Sequence, residues 1–487
     1  MSGFWLLLPI LLPVAAGCAA FFARSRRILH RSLVLLLGSE LLLVLALGLL
    51  CTEPVTLFRA TASLSFTLQA DGISLLFGLI ATAAWLGAGI FAMRYMDHAP
   101  HSFRFFAFFQ LTLSALLVIC FAGNLATLYL GYEAMTLLSL PMVLHTGTKQ
   151  ARNAGVKYLG FSVLGAALGL FGLFFLQQFG GAAQFVPGGV LDLAKLAGHE
   201  NELFALYLIL CVGFGCKAGL YPLHGWLPTA HPVAPAPASA VLSGVITKMG
   251  VLAIVRVTFF LIGPQLLSGS WAQAALLVLS LVTVFLGSML AYREKLLKKR
   301  LAWSTVSQVS YVLFGIFLLN EVALQGALLQ LVFHAVAKNG LFLAAGAIIF
   351  VTGRTRTDQM QGVGLQLPWI LAGFTVCALS LIGIPPLAGF WSKWDLILGA
   401  LDAPVFTGIA FAGVIVLLVS AILTAGYLLP IVRDAYFPGA RFRKPERMPA
   451  GGCLTGPVLG YALLLIVLGL VPGLCGTVAG LLGAGLF

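Results

Sequence analysis

Along this chain, apolar residues come in long runs separated by short polar clusters. A helix that crosses a bilayer needs ~20 mostly apolar residues. Runs of that length predict fourteen helices, roughly at 4–22, 32–51, 71–93, 104–122, 124–146, 155–178, 203–230, 237–262, 271–291, 301–319, 322–351, 367–400, 405–432 and 455–484. Little polar sequence is left over for a soluble domain. Two of the predicted helices are interrupted. In GFGCKAGLYPLHGWLP, Pro222 follows an apolar run that already holds Lys217, and in LSLIGIPPLAGFWSKWDLILG, Pro385 and Pro386 precede Lys393. Proline lacks the N–H that the helical ladder needs. Backbone freed in this way at membrane depth is tolerated where it packs in protein or lines a wet cavity. The sequence therefore predicts that the unwound turn at Pro222 serves the Lys217 ammonium. The polar run HGWLPTAHPVAPAPAS is expected to return the chain to the membrane surface.

Composition agrees with a membrane protein. Of the 487 residues 60% are hydrophobic and 9% are charged, where a soluble domain carries about 25% charged residues. Mean hydropathy is +1.04. The net charge of +13 does not point to nucleic acid, because the basic residues lie in short loops between apolar runs. The N-terminal stretch has its arginines after the apolar run, the reverse of a signal peptide, and reads as a first membrane helix with its N-terminus outside. The eight cysteines have no CxxC spacing and predict packing, with neither a metal site nor a disulfide framework.

Loop charge sets the orientation. Alternating from a cytoplasmic first loop (Arg24, Arg26, Arg27, Arg31), the inside loops collect Arg94 and Arg104; Lys149, Arg152 and Lys157; Arg293, Lys295, Lys298, Lys299 and Arg300; Arg354 and Arg356; and Arg433, Arg441, Arg443, Lys444 and Arg447. That is 21 of the 28 basic residues, against two outside, Arg59 and Lys195. The positive-inside rule therefore predicts fourteen crossings with both termini outside a cytoplasmic membrane. The other five, Lys217, Lys248, Arg256, Lys338 and Lys393, fall inside apolar segments, as do Glu133 and His334. Ionisable residues at that depth usually face a bundle interior or a watery cavity and mark function.

Two Pro/Gly-interrupted helices, each with a lysine, in corresponding positions point to a transporter built from internal repeats. The breaks fall in the seventh and twelfth segments. The motifs KAGLYPLHGWLPTAHPVAPAPASAVLSGVITKMGVLAIVR, NLATLYLGYEAM, KKRLAWSTVSQVSYVLFG, FHAVAKNGLFLAAG and GIPPLAGFWSK resemble those of the antiporter-like membrane subunits of respiratory complex I. The same superfamily serves energy-converting hydrogenases, formate hydrogenlyases and multisubunit (Mrp-type) sodium/proton antiporters. The resemblance runs from about Asp71 to Lys393, and LHGWLPTAHPVAPAPASAVLSGVITK looks closest to the hydrogenase-type members.

The resemblance implies an all-α membrane fold with two inverted five-helix repeats, segments 4–8 at 104–262 and 9–13 at 271–432. Residues 1–103 would hold segments 1–3 and residues 455–484 the last. It also implies a proton relay. Glu133 would pair with Lys217, Lys248 would link two half-channels, His334 and Lys338 would lie on the connecting path, and Lys393 would exchange protons with one side. The sequence stops after the fourteenth segment, without the long lateral helix of the largest members, which argues against a distal, clamp-like position.

Plainer readings compete. Glu133 and Lys217 could form a static buried ion pair, which often adds little stability. Lys248 or Arg256 could snorkel, and for Arg256, close to the outer interface, this is the preferred reading. His334 sits four residues before Lys338, on the same helical face. His224 and His231 flank the first break and are accessory at most. Asp71 is an ordinary first-turn carboxylate, and His145 is expected at the surface. Asp395 either pairs with a neighbour or tunes Lys393. The sequence carries no cluster-ligating Cys₄ spacing, dinucleotide fingerprint or haem-ligand pair, so no cofactor and no catalytic chemistry of its own are expected. Other membrane subunits are the expected partners, and protons the expected cargo. A sodium/proton antiporter component without a redox partner is the alternative. A passive scaffold is disfavoured, because every position of the lysine series is still ionisable.

Overall fold

The computed structural model describes residues 2–487 except 24, 52, 60, 62–63, 98, 180–183, 440–445 and 484, and except the side chains at 26–28. Arg24, Arg26, Arg27, Arg441, Arg443 and Lys444, which enter the charge argument, lie outside the described residues or side chains. The fold is an all-α helical bundle. Its main helices are α1 (Leu7–Phe21), α2 (Arg26–Leu50), α3 (Gly72–Tyr95), α4 (Ser102–Cys120), α5 (Leu125–Val143), α6 (Lys149–Leu176), α7 (Glu200–Ala218) and α8 (Leu227–Val233). They continue with α9 (Ala236–Ile262), α10 (Trp271–Arg293), α11 (Leu297–Phe317), α12 (Glu321–Thr352), α13 (Pro368–Ile382), α14 (Ala388–Leu401), α15 (Thr407–Tyr436), α16 (Gly452–Leu470) and α17 (Pro472–Gly483). Among the described residues, eleven helical spans are long and apolar enough to cross a membrane. Helices also stand where the other three segments were expected, as α5, as α11 and as the pair α13–α14.

Side chains start many of these helices. Asp71, Asn124, Thr148, Ser270 and Asn320 each accept a hydrogen bond from a backbone N–H two or three residues into the helix, satisfying a donor that has no helical partner. Apolar content then decides depth. α9 is buried along its whole length and forms the central pillar, whereas only about a third of α1, α2, α15 and α16 is buried.

Loops assigned to one side by charge meet on one side of the bundle. The 294–300 turn bonds the 355–357 turn through Leu297 N–H to Thr355 O (2.9 Å) and Thr357 N–H to Lys295 O (2.9 Å). At the other end a two-stranded hairpin, β1 (Val55–Arg59) and β2 (Ser65–Leu68), is followed by Gln69, whose N–H donates to Phe121 O (2.8 Å). Phe185 N–H then reaches Gly123 O (2.8 Å), and Gly188 and Val190 reach Phe259 O and Leu261 O (2.9 and 3.0 Å). Those carbonyls are free because they belong to the last turn of α9, which ends at Ile262 and is wound π-type over Arg256–Ile262.

Several boundaries differ from expectation. The last segment, expected as one helix, is split at Val471–Pro472 into α16 and α17. The run after Pro222 does not simply return to the surface. It folds into α8, where Trp226, Leu227, Ala230 and His231 are buried, and leads straight into α9. Proline at a first helical turn is tolerated, and Pro228 occupies one. The hairpin was not expected at all.

Candidate functional site

The two breaks are built alike. α7 ends at Gly219 (φ +85) and α13 at Gly383 (φ +97), left-handed positions that favour glycine. Each is followed by a turn whose proline is exposed, so both proline turns lie on the outside of the chain rather than in an internal cavity. Tyr221–Pro222 and Pro385–Pro386 are both cis. Lys393 lies ten residues beyond Gly383 and reaches back across the break. Its Nζ donates to Leu381 O (2.6 Å) and Ile382 O (2.8 Å), carbonyls at the end of α13.

At the first break the unwound turn does not serve Lys217 in the expected way. Trp226 Nε1 takes Cys216 O (2.8 Å), and Leu220 N–H takes Gly215 O (2.8 Å). Lys217 instead turns to α6, donating to Tyr158 OH (2.8 Å) and Ser162 Oγ (2.7 Å), with Nζ 4.0 Å from the Tyr158 ring centroid. Ser139 Oγ, on α5, lies 2.6 Å from Tyr158 OH. The expected Glu133–Lys217 pair is not among the described ion pairs. Glu133 points from the half-buried face of α5, and its carboxylate accepts from Tyr129 OH at 3.0 Å, one turn away.

Lys248 and His334 meet at the centre. Lys248 Nζ is 2.8 Å from His334 Nδ1, donates to Ser243 O (2.7 Å), and lies 3.4 Å from Thr247 Oγ1. The π-type turn Leu242–Ile246 brings the Ser243 carbonyl within reach of a lysine five residues on. π turns cluster at functional sites and carry no sequence signature. Lys338, one turn after His334 on α12, donates to Ser304 Oγ (2.6 Å) and Leu301 O (3.0 Å) of α11. Ser243 Oγ and Thr305 Oγ1 (2.7 Å) tie α9 to the same stretch of α11. From His334 toward Lys393, the amide of Gln330 accepts from Ser392 Oγ (2.6 Å) and donates to Gln308 Oε1 (2.9 Å). All four lysines are buried.

The accessory residues are less connected. His231 is fully buried, stacks on Phe342 (4.7 Å), and has no partner for either ring nitrogen among the described residues. His224 lies between Tyr221 and Trp303. Asp395 is half-buried, on α14 beside the backbone opposite Gly326. His145, expected at the surface, is buried and packs edge-on against Phe105 (5.5 Å). Arg256 does not snorkel. Its Nη1 and Nη2 contact the two Asp71 oxygens (2.5 and 2.9 Å), Nη2 also donates to Ser74 Oγ (2.8 Å), and the guanidinium lies 4.4 Å from the Phe260 ring centroid. Sequence reasoning missed the hydroxyl and amide partners, although the polar run Ser304, Thr305, Ser307 and Gln308 inside an apolar helix signals them. It also missed Glu40, an acid within an apolar run. Among the described residues no group of three or more His, Cys, Asp or Glu side chains could hold a metal ion.

The model of the transmembrane NADH:quinone oxidoreductase/Mrp antiporter family matches residues 122–420, more than half of the chain. The chain belongs to this family. It is a multi-pass, antiporter-like membrane subunit. A relative, NADH-quinone oxidoreductase subunit N of Desulforudis audaxviator, is 33% identical over 415 residues, covering 81% of this chain and 80% of the relative. A Na(+)/H(+) antiporter subunit of Alkalihalophilus pseudofirmus is 28% identical over 84% of this chain and 81% of its own length. Hydrogenase-4 component B of Escherichia coli is 31% identical over 67% of this chain and 50% of its own. The fold matches a chain of the Mrp complex from Dietzia sp. at a TM-score of 0.84 (23% identity, 99% and 96% coverage). It matches a chain of respiratory complex I from Thermus thermophilus at 0.80 (25% identity, 99% and 100% coverage). These family likenesses span the same length of chain as the lysine series.

Proposed function

We propose that this chain moves protons across a cell membrane as the antiporter-like subunit of a complex I-like or hydrogenase-type redox complex. The observation that carries the reading is the 2.8 Å contact between Lys248 Nζ and His334 Nδ1, both buried. Two basic groups at that distance can share one proton, held either as an ammonium donating to a neutral imidazole or as an imidazolium donating to a neutral amine. Moving the proton along this bond carries charge from α9 to α12. Hard cations take oxygen ligands, so a nitrogen pair suits a proton.

In this reading Lys217 takes up or releases a proton as Glu133, half-exposed on α5, is approached or neutralised by an adjoining subunit. A carboxylate at a distance favours a charged lysine, and desolvation opposes it. Lys248 and His334 pass the proton on. Lys338 and the Gln330–Ser392 bridge lead toward Lys393, which exchanges it with one side. His224, His231 and Asp395 are accessory. Electrons stay with partner subunits. The chain crosses the membrane fourteen times with both termini outside. Its repeats are 104–262 and 271–432, preceded by 1–103 and followed by 455–484, and the matching turns at Gly219 and Gly383 support that layout.

The second reading is a component of a multisubunit sodium/proton antiporter without a redox partner, favoured by the likeness to the Alkalihalophilus antiporter protein and to the Mrp complex. Vesicles holding the assembled complex separate the two. Proton movement started by an electron donor supports the first, and movement started by a sodium gradient alone supports the second. In either case His334→Ala should assemble and transport poorly. Transport at the normal rate by both His334→Ala and Lys248→Ala would remove this pair from the path.

A further inference from the structure

The relay leaves one buried acid unused. Glu40 lies midway along α2, within SLVLLLGSELLLVLAL, and is 0% exposed although α2 is otherwise one of the least buried helices. Neither carboxyl oxygen has a hydrogen-bond partner among the described residues. α2 packs antiparallel on α3, and two glycines fix the fit. A Cβ on Gly89 would meet Leu37 Cδ1 at 2.6 Å, and one on Gly78 would meet Val44 Cγ1 at 2.9 Å. Glu40 lies between Leu37 and Val44, and so at the level between Gly89 and Gly78 on α3.

The polar groups of α3 at that level are already committed. Thr82 Oγ1 donates to its own helix at Gly78 O (2.9 Å), and Trp85 Nε1 donates to Phe109 O (2.8 Å). α1 has no charged residue, and the charged residues of α3, Arg94 and its cap Asp71, stand at its two ends. On α4 the one basic residue, Arg104, is in the first turn. On α2 itself the basic residues are confined to the first turns, Arg26 to Arg31. Among the described residues, therefore, no cation faces Glu40 from any helix packed around it, and the one uncommitted buried amide nearby, Gln110 of α4, makes no hydrogen bond to it. An ionised carboxylate taken out of water without a partner is far more costly than a neutral acid, and such a group neutralises instead. Glu40 belongs to no group of three or more His, Cys, Asp or Glu side chains that could hold a metal ion among the described residues.

We propose that Glu40 is a separate intramembrane proton-binding site, a neutral carboxylic acid locked between α2 and α3, and a target for apolar carbodiimides. The proposal is independent of the lysine relay. The modification balances as a simple addition. The acid O–H adds across one C=N bond of the carbodiimide to give an O-acylisourea. The acyl group then migrates from oxygen to nitrogen to give a stable N-acylurea, with no leaving group and no oxidant. An apolar reagent dissolved in the bilayer approaches along the lipid-facing side of α2, and α2 must part from α3 for the reaction. Deprotonation at alkaline pH would place an unpaired charge in that seam, so α2 would pack on α3 only while Glu40 holds its proton.

The test uses the full chain in native membranes and in purified form. Dicyclohexylcarbodiimide is the probe, read by mass spectrometry of the peptide carrying Glu40. Infrared spectroscopy reads the carbonyl stretch of a protonated carboxyl buried in an apolar setting. The expected result is an adduct on Glu40, or a protonated-carboxyl band that Glu40→Gln removes and that alkaline titration abolishes. Glu40→Gln, a neutral isostere, should assemble to the wild-type level, whereas Glu40→Lys should not. If neither adduct nor band is found, or if Glu40→Gln loses assembly, the residue needs its negative charge and the proposal is overturned.

Discussion

Removing Asp71 should cost more stability than removing its partner Arg256, although the two form one ion pair. The reason is unequal burial. The Arg256 side chain is 1% exposed and that of Asp71 is 23% exposed. Breaking a buried pair by deleting one partner typically costs about 3–5 kcal/mol, because the other charge is left uncompensated. In Asp71→Asn the stranded group is the buried guanidinium. It keeps Ser74 Oγ and the Phe260 face but loses both charged contacts, so the full range applies. In Arg256→Gln the stranded group is a carboxylate that water reaches and that still accepts from Ser74 N–H (2.8 Å), so the cost should fall to about 1–2 kcal/mol, close to that of a lost charged hydrogen bond. Asparagine is as good a helix cap as aspartate, so Asp71→Asn tests the charge and not the cap. Unfolding titrations of the purified chain in mixed detergent micelles measure the difference. A cost for Arg256→Gln equal to or above that for Asp71→Asn would show that the exposure difference does not govern the pair, and the reasoning would be wrong.

Four further outcomes are expected. Lys217→Arg should assemble, because arginine can still donate to Tyr158 and Ser162, yet lose transport, because a group that stays protonated cannot relay; assembled and fully active protein would make Lys217 a structural counter-ion. Lys393→Glu should retain more proton transport in vesicles than Lys393→Leu, since glutamate also titrates, and wild-type activity in the leucine variant would take Lys393 off the path. A compartment-sensitive reporter fused after Phe487 should read outside, and a cytoplasmic reading would end the fourteen-crossing topology. At the loop end of α10, burial raises the Glu294 carboxyl. The Lys299 ammonium (2.7 Å) and the N–H groups of Leu296 and Lys295 outweigh it and hold the group below the usual carboxylate range. A depressed folded value means that this stabilisation is present above the unfolded carboxylate range and is lost as pH falls. Acid should therefore loosen the turn in the wild type but not in Glu294→Gln, as read by proteolysis at the turn across a pH series.

What the sequence determined by itself is whatever depends on local pattern and bulk transfer. Apolar runs of ~20 residues must lie in hydrocarbon, so the helices, their order and the all-α class were legible, as was the clustering of loops by charge. The glycine and proline clusters at Gly219–Pro222 and Gly383–Pro386 made those two interruptions legible too, whereas Pro13, Pro141, Pro430 and Pro457 stand inside continuous helices, and the motifs identified the family. Only the tertiary structure decided what each buried charge touches. Lys217 and Lys393 look equivalent from the sequence, but Trp226 occupies a carbonyl at the first break and sends Lys217 to Tyr158 and Ser162, while Lys393 finds its carbonyls open. Arg256 and Asp71 are 185 residues apart, and no local rule joins them. Glu40 has the same neighbours in sequence as any lipid-facing residue of α2, and only the close fit of α3 turns it inward. Desolvation acts on a residue wherever the fold places it, and the partner that offsets the cost comes from another helix.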